Sequence, residues 1–212
     1  MLPRLGHIAS RIKWNSFTRS SNSYCTPVSN KRPRRVLFYV PGSDEKKVNK
    51  ALDLELDMVV LDIEDGVAHN RKNEARQLIV ETLRNKNFNP KTERSIRMNH
   101  VGSGHETDDL KNAIIPSLPY LHSVVIPKVE KVSDLLYVAY HLSPKTRYVE
   151  LVACIESAKG VVNIKDICET KLPRNVKLTG LVVIIFFHSP ISGYSKFCPI
   201  STHPKIFVLI WE

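Results

Sequence analysis

The 212-residue sequence predicts an α/β fold, a parallel (β/α)-type barrel carried through about six β/α units. Two observations carry that prediction. Short runs that are apolar on both faces alternate with amphipathic stretches, the pattern of a parallel sheet covered by helices. Polar residues then follow almost every run: Tyr39, Glu64 and Asp65, Arg97 and Asn99, Lys128 and Glu130, and Glu156. In a closed barrel such strand ends converge on one mouth, whereas a doubly wound open sheet concentrates them at one or two switch-point loops. No G-x-G-x-x-G or Walker loop follows the first run, which weighs against the nucleotide-binding open sheet.

Each element has its own signal. Val36–Val40 reads as a strand closed by Pro41-Gly42, and Ser43 or Asp44 can cap a helix running to about Leu52. Met58–Ile63 is an apolar strand ending in Glu64-Asp65-Gly66. A helix over about 71–85 carries Ala75, Leu78, Ile79 and Leu83 near helical spacing. Strands at Ser95–Asn99, Ser123–Val129 and Tyr148–Ile155 are followed by helices at Glu106–Ile115, Ser133–His141 (with its Ser as cap) and Lys159–Cys168. Leu178–Ile185 is the sixth strand.

The net charge of +10 invites a nucleic-acid reading until it is located along the chain. Residues 1–35 hold eight of the 31 basic side chains and no acid, the first acid being Asp44; the remainder carries 23 bases against 21 acids. A near-neutral body argues against nucleic acid. The Arg- and Ser-rich leader has the character of a mitochondrial transit peptide, with import into the matrix expected; a basic tail is the alternative. The longest apolar run, Leu181–Phe187, is far short of the roughly 20 residues a membrane span needs. Cys25, Cys154, Cys168 and Cys198 form no C-x-x-C pair, which suits reduced thiols.

The residues at the strand ends suggest chemistry. Arg97 can grip a carboxylate through two parallel hydrogen bonds, or pair internally with Glu64 or Asp65. Glu156 offers the hard oxygen that magnesium prefers, against the alternatives of a helix-cap acid or an ion-pair partner. Glu64 and Asp65 can reach a metal through water or hold neighbouring cations, the second being the commoner role. Lys46 and Lys50 share one helix face, where they can receive an anion such as the phosphates of coenzyme A or simply be solvated.

Six segments carry a resemblance: VLFYVPGSDEKK (36–47), VLDIEDGVA (60–68), KNEAR (72–76), IRMN (96–99), IPKVE (126–130) and IESAKG (155–160). In that order, over residues 36–183, the chain resembles the citrate lyase β-subunit family of the HpcH/HpaI aldolase/citrate lyase superfamily. The resemblance implies a TIM barrel that binds Mg2+ and an acyl-CoA thioester and assembles as a homotrimer. It implies retro-Claisen cleavage of citramalyl-CoA, or a related 3-hydroxyacyl-CoA, to acetyl-CoA and pyruvate, with malate-synthase-like condensation in reverse. By position it makes Glu156 the first metal carboxylate, Arg97 the grip on the substrate carboxylate, and Tyr39, Lys46 and Lys50 substrate contacts, with Glu64 and Asp65 in support.

The chain then departs from that pattern. The family's second metal ligand is an aspartate just after the sixth strand, where this sequence reads GLVVIIFFHSP, and no acid occurs between Glu169 and Glu212. The later strands and the C-terminal catalytic acid are also missing. The expectation is a leader over 1–35, a partial barrel over 36–183 and an apolar non-family tail over 184–212. A sheet cut off there should leave two unpaired edges. A catalytically incomplete isoform that binds acyl-CoA or full-length subunits is the alternative to an active lyase.

Overall fold

The computed structural model describes residues 33–185 and 205–210. Six parallel strands, β1 (Leu37–Pro41), β2 (Met58–Asp62), β3 (Glu93–Arg97), β4 (Ser123–Ile126), β5 (Val149–Ile155) and β6 (Val176–Ile185), pair in chain order. A seventh, β7 (Lys205–Ile210), lies antiparallel to β6. Sequential order without reversal leaves no switch point, and right-handed crossovers then place every helix on the same face. The six strands are therefore an arc of a (β/α) barrel, open between β1 and β7 among the described strands.

Two expectations about the edges change. The β6 edge is paired, from Gly180 to Ile185, because Lys-Ile-Phe-Val-Leu-Ile is a β-branched and aromatic run able to form a strand. Strand β3 begins two residues earlier than its apolar pattern indicates. Glu93 and Arg94 extend it, and the Glu93 carboxylate is buried and satisfied inside the arc.

The helices are α1 (Glu45–Leu52), α2 (Lys72–Asn85), α3 (Glu106–Asp109), α4 (Ile115–Ser117), α5 (Val132–Leu142), α6 (Ala158–Val162) and α7 (Ile164–Cys168). Asp44, rather than Ser43, caps α1, its Oδ1 accepting from the Lys47 N–H at 3.1 Å. At α5 the N-cap is Lys131 and not Ser133; Asp134, in the first turn, reaches back so that its Oδ2 accepts from the N–H groups of Glu130 and Lys131 at 3.1 and 3.2 Å. The single helix expected over 159–168 breaks at Asn163, whose side-chain amide donates to the Glu130 carbonyl at 2.7 Å while its backbone N–H keeps a bond to the Lys159 carbonyl at 3.1 Å. Between α3 and α4 the chain winds as a π-helical turn, Leu110–Ile114.

Strand alternation builds two cores. On the outer face Val59, Leu61, Ile96, Val124 and Leu151 join Ile79, Leu83, Leu135 and Val138 of the helices. On the inner face Met58, Val60, Val125, Val152, Cys154 and Val182 pack together, with Leu37 and Tyr39 against them. Each fully buried aliphatic side chain of this kind stabilises the fold by roughly 1.5–3 kcal/mol.

Charged groups close the inner face at both ends. The floor, at the N-terminal ends of the strands, is organised by Arg34. Its guanidinium donates to both Glu93 oxygens (2.7 and 2.9 Å), to Glu150 (2.5 Å) and to the carbonyl and hydroxyl of Thr179 (3.1 and 3.0 Å). Ser123 donates to Glu93 and shares a 2.6 Å hydrogen bond with its register partner Ser95. Thr179 is the extra residue of a β-bulge, since Leu151 pairs with Leu178 and Val152 with Gly180. Arg34 and Arg35, counted by composition with the leader, are thus tied to the barrel, Arg35 through Asp57 at 2.8 Å.

Candidate active site

The mouth is assembled from loops whose backbones are fixed by neighbouring side chains. Asp62 ends β2 and accepts from the N–H groups of Glu64 and Gly66, both at 2.8 Å, which folds the Glu64-Asp65 turn back on the strand. Gly66 is required there because a Cβ would lie 2.5 Å from the Asp62 Oδ2. Lys72, the first residue of α2, donates to the carbonyls of Ile63 (2.8 Å) and Glu64 (3.1 Å) and to the Asn99 side chain (2.6 Å). Asp109 accepts from Arg76 at 2.8 Å and from the backbone and side chain of Asn99, each at 2.7 Å. The KNEAR and IRMN segments therefore brace the loops after β2 and β3.

After β5, Ser157 caps α6 by accepting from the Gly160 N–H at 3.1 Å, and its hydroxyl donates to Glu130 at 2.9 Å. Lys159 pairs with the same Glu130 at 3.0 Å. Gly160 lets α6 approach the preceding loop, since a Cβ would meet the Val129 carbonyl at 2.6 Å. Together these contacts fix the turn that begins at Glu156.

Four carboxylates and two cations meet on this frame. Arg97 is the register partner of Asp62 and is clamped by it, Nε and Nη2 donating at 2.7 and 2.6 Å. Its Nη1 lies 3.2 Å from Glu64, and the Tyr39 ring stacks on the guanidinium at 4.8 Å. Lys128, after β4, places Nζ 2.8 Å from Glu64 and 3.3 Å from Asp65. Glu64 is 3% exposed, and neither of its oxygens is aligned for a hydrogen bond although both face cations.

Glu156 stands apart from these pairs. Its Oε1 is buried and has no hydrogen-bond partner. Burial, and then repulsion from Glu64, push its carboxyl above the usual carboxylate range, with Arg97 and the Lys128 backbone pulling the other way. Below it, burial and Glu156 push the Cys154 thiol up to about 12, so that thiol is inert. Burial and Cys154 likewise raise the Tyr39 phenol.

Tyr39, Glu64, Asp65, Arg97 and Glu156, all singled out by sequence, thus converge. Lys50 lines a shallow groove between β1 and α1 with Phe38, Tyr39, Lys47 and Leu54; Lys46 is exposed and does not line it. Arg97 adopts the internal pairing that the sequence left open, but its principal partner is Asp62. Sequence reasoning missed Asp62, although its place at the even-numbered inner positions Met58, Val60, Asp62 was a usable signal. Among the described residues no three His, Cys, Asp or Glu side chains form a complete metal cage. Magnesium needs none, since one or two protein carboxylates suffice when water and substrate supply the rest. A buried carboxylate oxygen without a donor, beside a second carboxylate, suits a cation.

An acidic strand-end turn, a clamped arginine and a carboxylate oxygen without a donor meet at one end of a (β/α) arc, the mouth of a barrel-type fold. Residues 35–188 match the HpcH/HpaI aldolase/citrate lyase family, and the chain belongs to it. The human protein named "Citramalyl-CoA lyase, mitochondrial" is 38% identical over 177 residues, covering 81% of this chain and 47% of that protein. The (3S)-malyl-CoA thioesterase of Cereibacter sphaeroides (strain ATCC 17025) is 34% identical over 151 residues, 71% of this chain and 48% of that protein. The chain spans about half the length of these curated relatives.

Among solved structures, Mycobacterium tuberculosis CitE in complex with magnesium, acetoacetate and coenzyme A superposes with a TM-score of 0.51 at 24% identity, covering 66% of this chain and 46% of that one. A citrate lyase from Burkholderia xenovorans gives 0.55 at 18% identity, over 66% and 45%. These likenesses carry the fold. Among the described residues no helix is long and apolar enough to cross a membrane.

Proposed function

We propose that this chain carries the metal and acyl-CoA end of a mitochondrial, Mg2+-dependent carbon–carbon lyase that splits citramalyl-CoA, or a related 3-hydroxyacyl-CoA, into acetyl-CoA and pyruvate. The reading rests first on Glu156, whose unpartnered buried oxygen lies in a mouth with more carboxylates than cations. The names of the mitochondrial relatives and the magnesium and coenzyme A in a structural neighbour support it.

In this reading Glu156 holds Mg2+. The ion, when bound, supplies Lewis-acid stabilisation of the oxygen that becomes the pyruvate carbonyl. Asp62 fixes the guanidinium plane of Arg97 through its Nε edge, so that the remaining N–H groups on Nη1 and Nη2 present a set direction to the substrate carboxylate. Tyr39 covers one face of that plane and excludes water from it. Lys50, in the groove beside Tyr39, and Lys46 on the adjoining helical surface supply positive charge for the coenzyme A phosphates. Cleavage takes the proton from the substrate hydroxyl as the pyruvate carbonyl forms and returns the broken bond's electron pair to the acetyl-CoA carbon, which takes up a proton; the same groups would serve condensation with pyruvate in reverse and a malate-synthase-like condensation with glyoxylate. Matrix import through residues 1–35, a body ending near 183 and assembly as a homotrimer belong to the same proposal.

A second reading, an isoform that binds acyl-CoA or full-length subunits without turnover, is favoured by the sequence after β6, which has no acid between Glu169 and Glu212 where the family carries its second metal aspartate. Incubation of the full chain with citramalyl-CoA and Mg2+, following acetyl-CoA and pyruvate, separates the two. Both products appearing, and disappearing when Glu156 becomes Gln, is the expected result. Saturable citramalyl-CoA binding without products would overturn the lyase reading and leave the second.

A further inference from the structure

Lys128 has a left-handed backbone, φ 52°, and is the one non-glycine residue among those described with a positive φ. An L side chain is disfavoured there, and lysine has no short polar group to offset it locally. Burial does not account for the strain, since the side chain is 40% exposed. The contacts around it do. Val129, the next residue, donates to the Cys154 carbonyl at 2.9 Å and so ties this peptide to β5. The Lys128 N–H favours the charged Glu156 carboxylate, while its ammonium sits 2.8 Å from Glu64 and 3.3 Å from Asp65. With Val129 fixed, the left-handed turn is what lets one residue address the ends of β2 and β5 together.

The charges show what this achieves. Asp62, Glu64, Asp65 and Glu156 face two cations, Arg97 and Lys128; among the described residues Lys72, which donates to the Glu64 carbonyl at 3.1 Å, and the half-buried His100, 4.0 Å from Glu64, are the other basic groups close by. Arg97 is already held by Asp62, so Lys128 is the main partner of Glu64 Oε1. Without it Glu64 would keep Arg97, 3.2 Å from its other oxygen and already clamped by Asp62, as its close cation, and Oε1 would be left to a metal ion.

We propose that Lys128 is a positioning residue that occupies Glu64 and thereby leaves Glu156 as the carboxylate that meets the divalent cation. The inference rests on the metal reading given above. It makes Lys128 a brake on cation affinity: the ammonium repels the ion and withholds Glu64 from it, which leaves positions around the ion to the substrate.

The test is a Mn2+ titration of the full chain, followed by electron paramagnetic resonance of the free ion, for the wild type, Glu156→Gln, Lys128→Met, Lys128→Gly and Lys128→Arg. Glycine tolerates the left-handed backbone, so Lys128→Gly removes the ammonium without the strain and guards against misfolding of the Met variant. Lys128→Met and Lys128→Gly should bind Mn2+ on the order of tenfold more tightly, the effect of removing a unit charge from a partly screened site. Lys128→Arg should bind like the wild type, and Glu156→Gln should not bind. A residue that merely shaped the loop would weaken binding or leave it unchanged. If Glu156→Gln loses Mn2+ while both Lys128 variants match the wild type, the positioning role is overturned and the metal reading stands. If the wild type and Glu156→Gln respond alike, the metal reading fails and the proposal falls with it.

Discussion

The floor and the mouth of the same strand arc both carry buried acids and an arginine, yet they are finished differently. At the floor, Arg34 spends its donors on Glu93, Glu150 and Thr179, and the serines below complete the acceptors. At the mouth, Arg97 is equally well clamped by Asp62, but Glu64 meets its cations without hydrogen-bond alignment and Glu156 Oε1 meets nothing. A saturated network rigidifies a fold and does little else. An unsaturated one costs stability, and its retention marks the end where a ligand completes the site.

This contrast can be broken at the floor first. Arg34→Met leaves the buried carboxylate of Glu93 and the half-buried one of Glu150 without their cation, and it should destabilise the chain by about 3–5 kcal/mol in urea unfolding. A loss below about 1 kcal/mol would show that the floor is not the tightly built end. Asp62→Asn weakens both the Arg97 clamp and the turn at Glu64 and Gly66; a loss of about 2–3 kcal/mol is expected by the same method.

Glu156→Gln should act in the opposite direction. Removing a charge that burial and Glu64 disfavour should stabilise the metal-free chain near neutral pH. The pH dependence follows in sign. A carboxyl whose folded pKa is raised contributes stability below its unfolded value, about 4.3, and that contribution is lost as pH rises through the folded value. The advantage of Glu156→Gln should therefore shrink toward zero at acid pH. An advantage that stays constant with pH would point to packing instead of charge.

Much of the mouth was legible because its residues follow apolar runs: Glu64, Arg97, Lys128 and Glu156 stand where a parallel strand gives way to a loop, and Tyr39 faces them from within β1. The floor was not. Arg34 looked like one more charge of a basic leader, since composition cannot register that it reaches a hydroxyl 145 residues away. Asp62 was hidden inside Val-Leu-Asp-Ile, and only the β2–β3 register reveals that it faces Arg97. Glu93 fell before the expected strand at Ser95, because the buried partner that justifies it, Arg34, was counted with the leader. Local pattern reports which face a residue takes; it does not report which distant group waits there. The same gap explains the broken helix at Asn163, where a side chain answers to Glu130 on another loop.

The claim that the mouth is kept unsaturated for a divalent cation is tested most directly by thermal unfolding of the full chain with and without 10 mM MgCl2, a concentration on the order of what weak Mg2+ sites require. The midpoint should rise for the wild type and stay unchanged for Glu156→Gln. Equal shifts in both, or no shift in either, would contradict it.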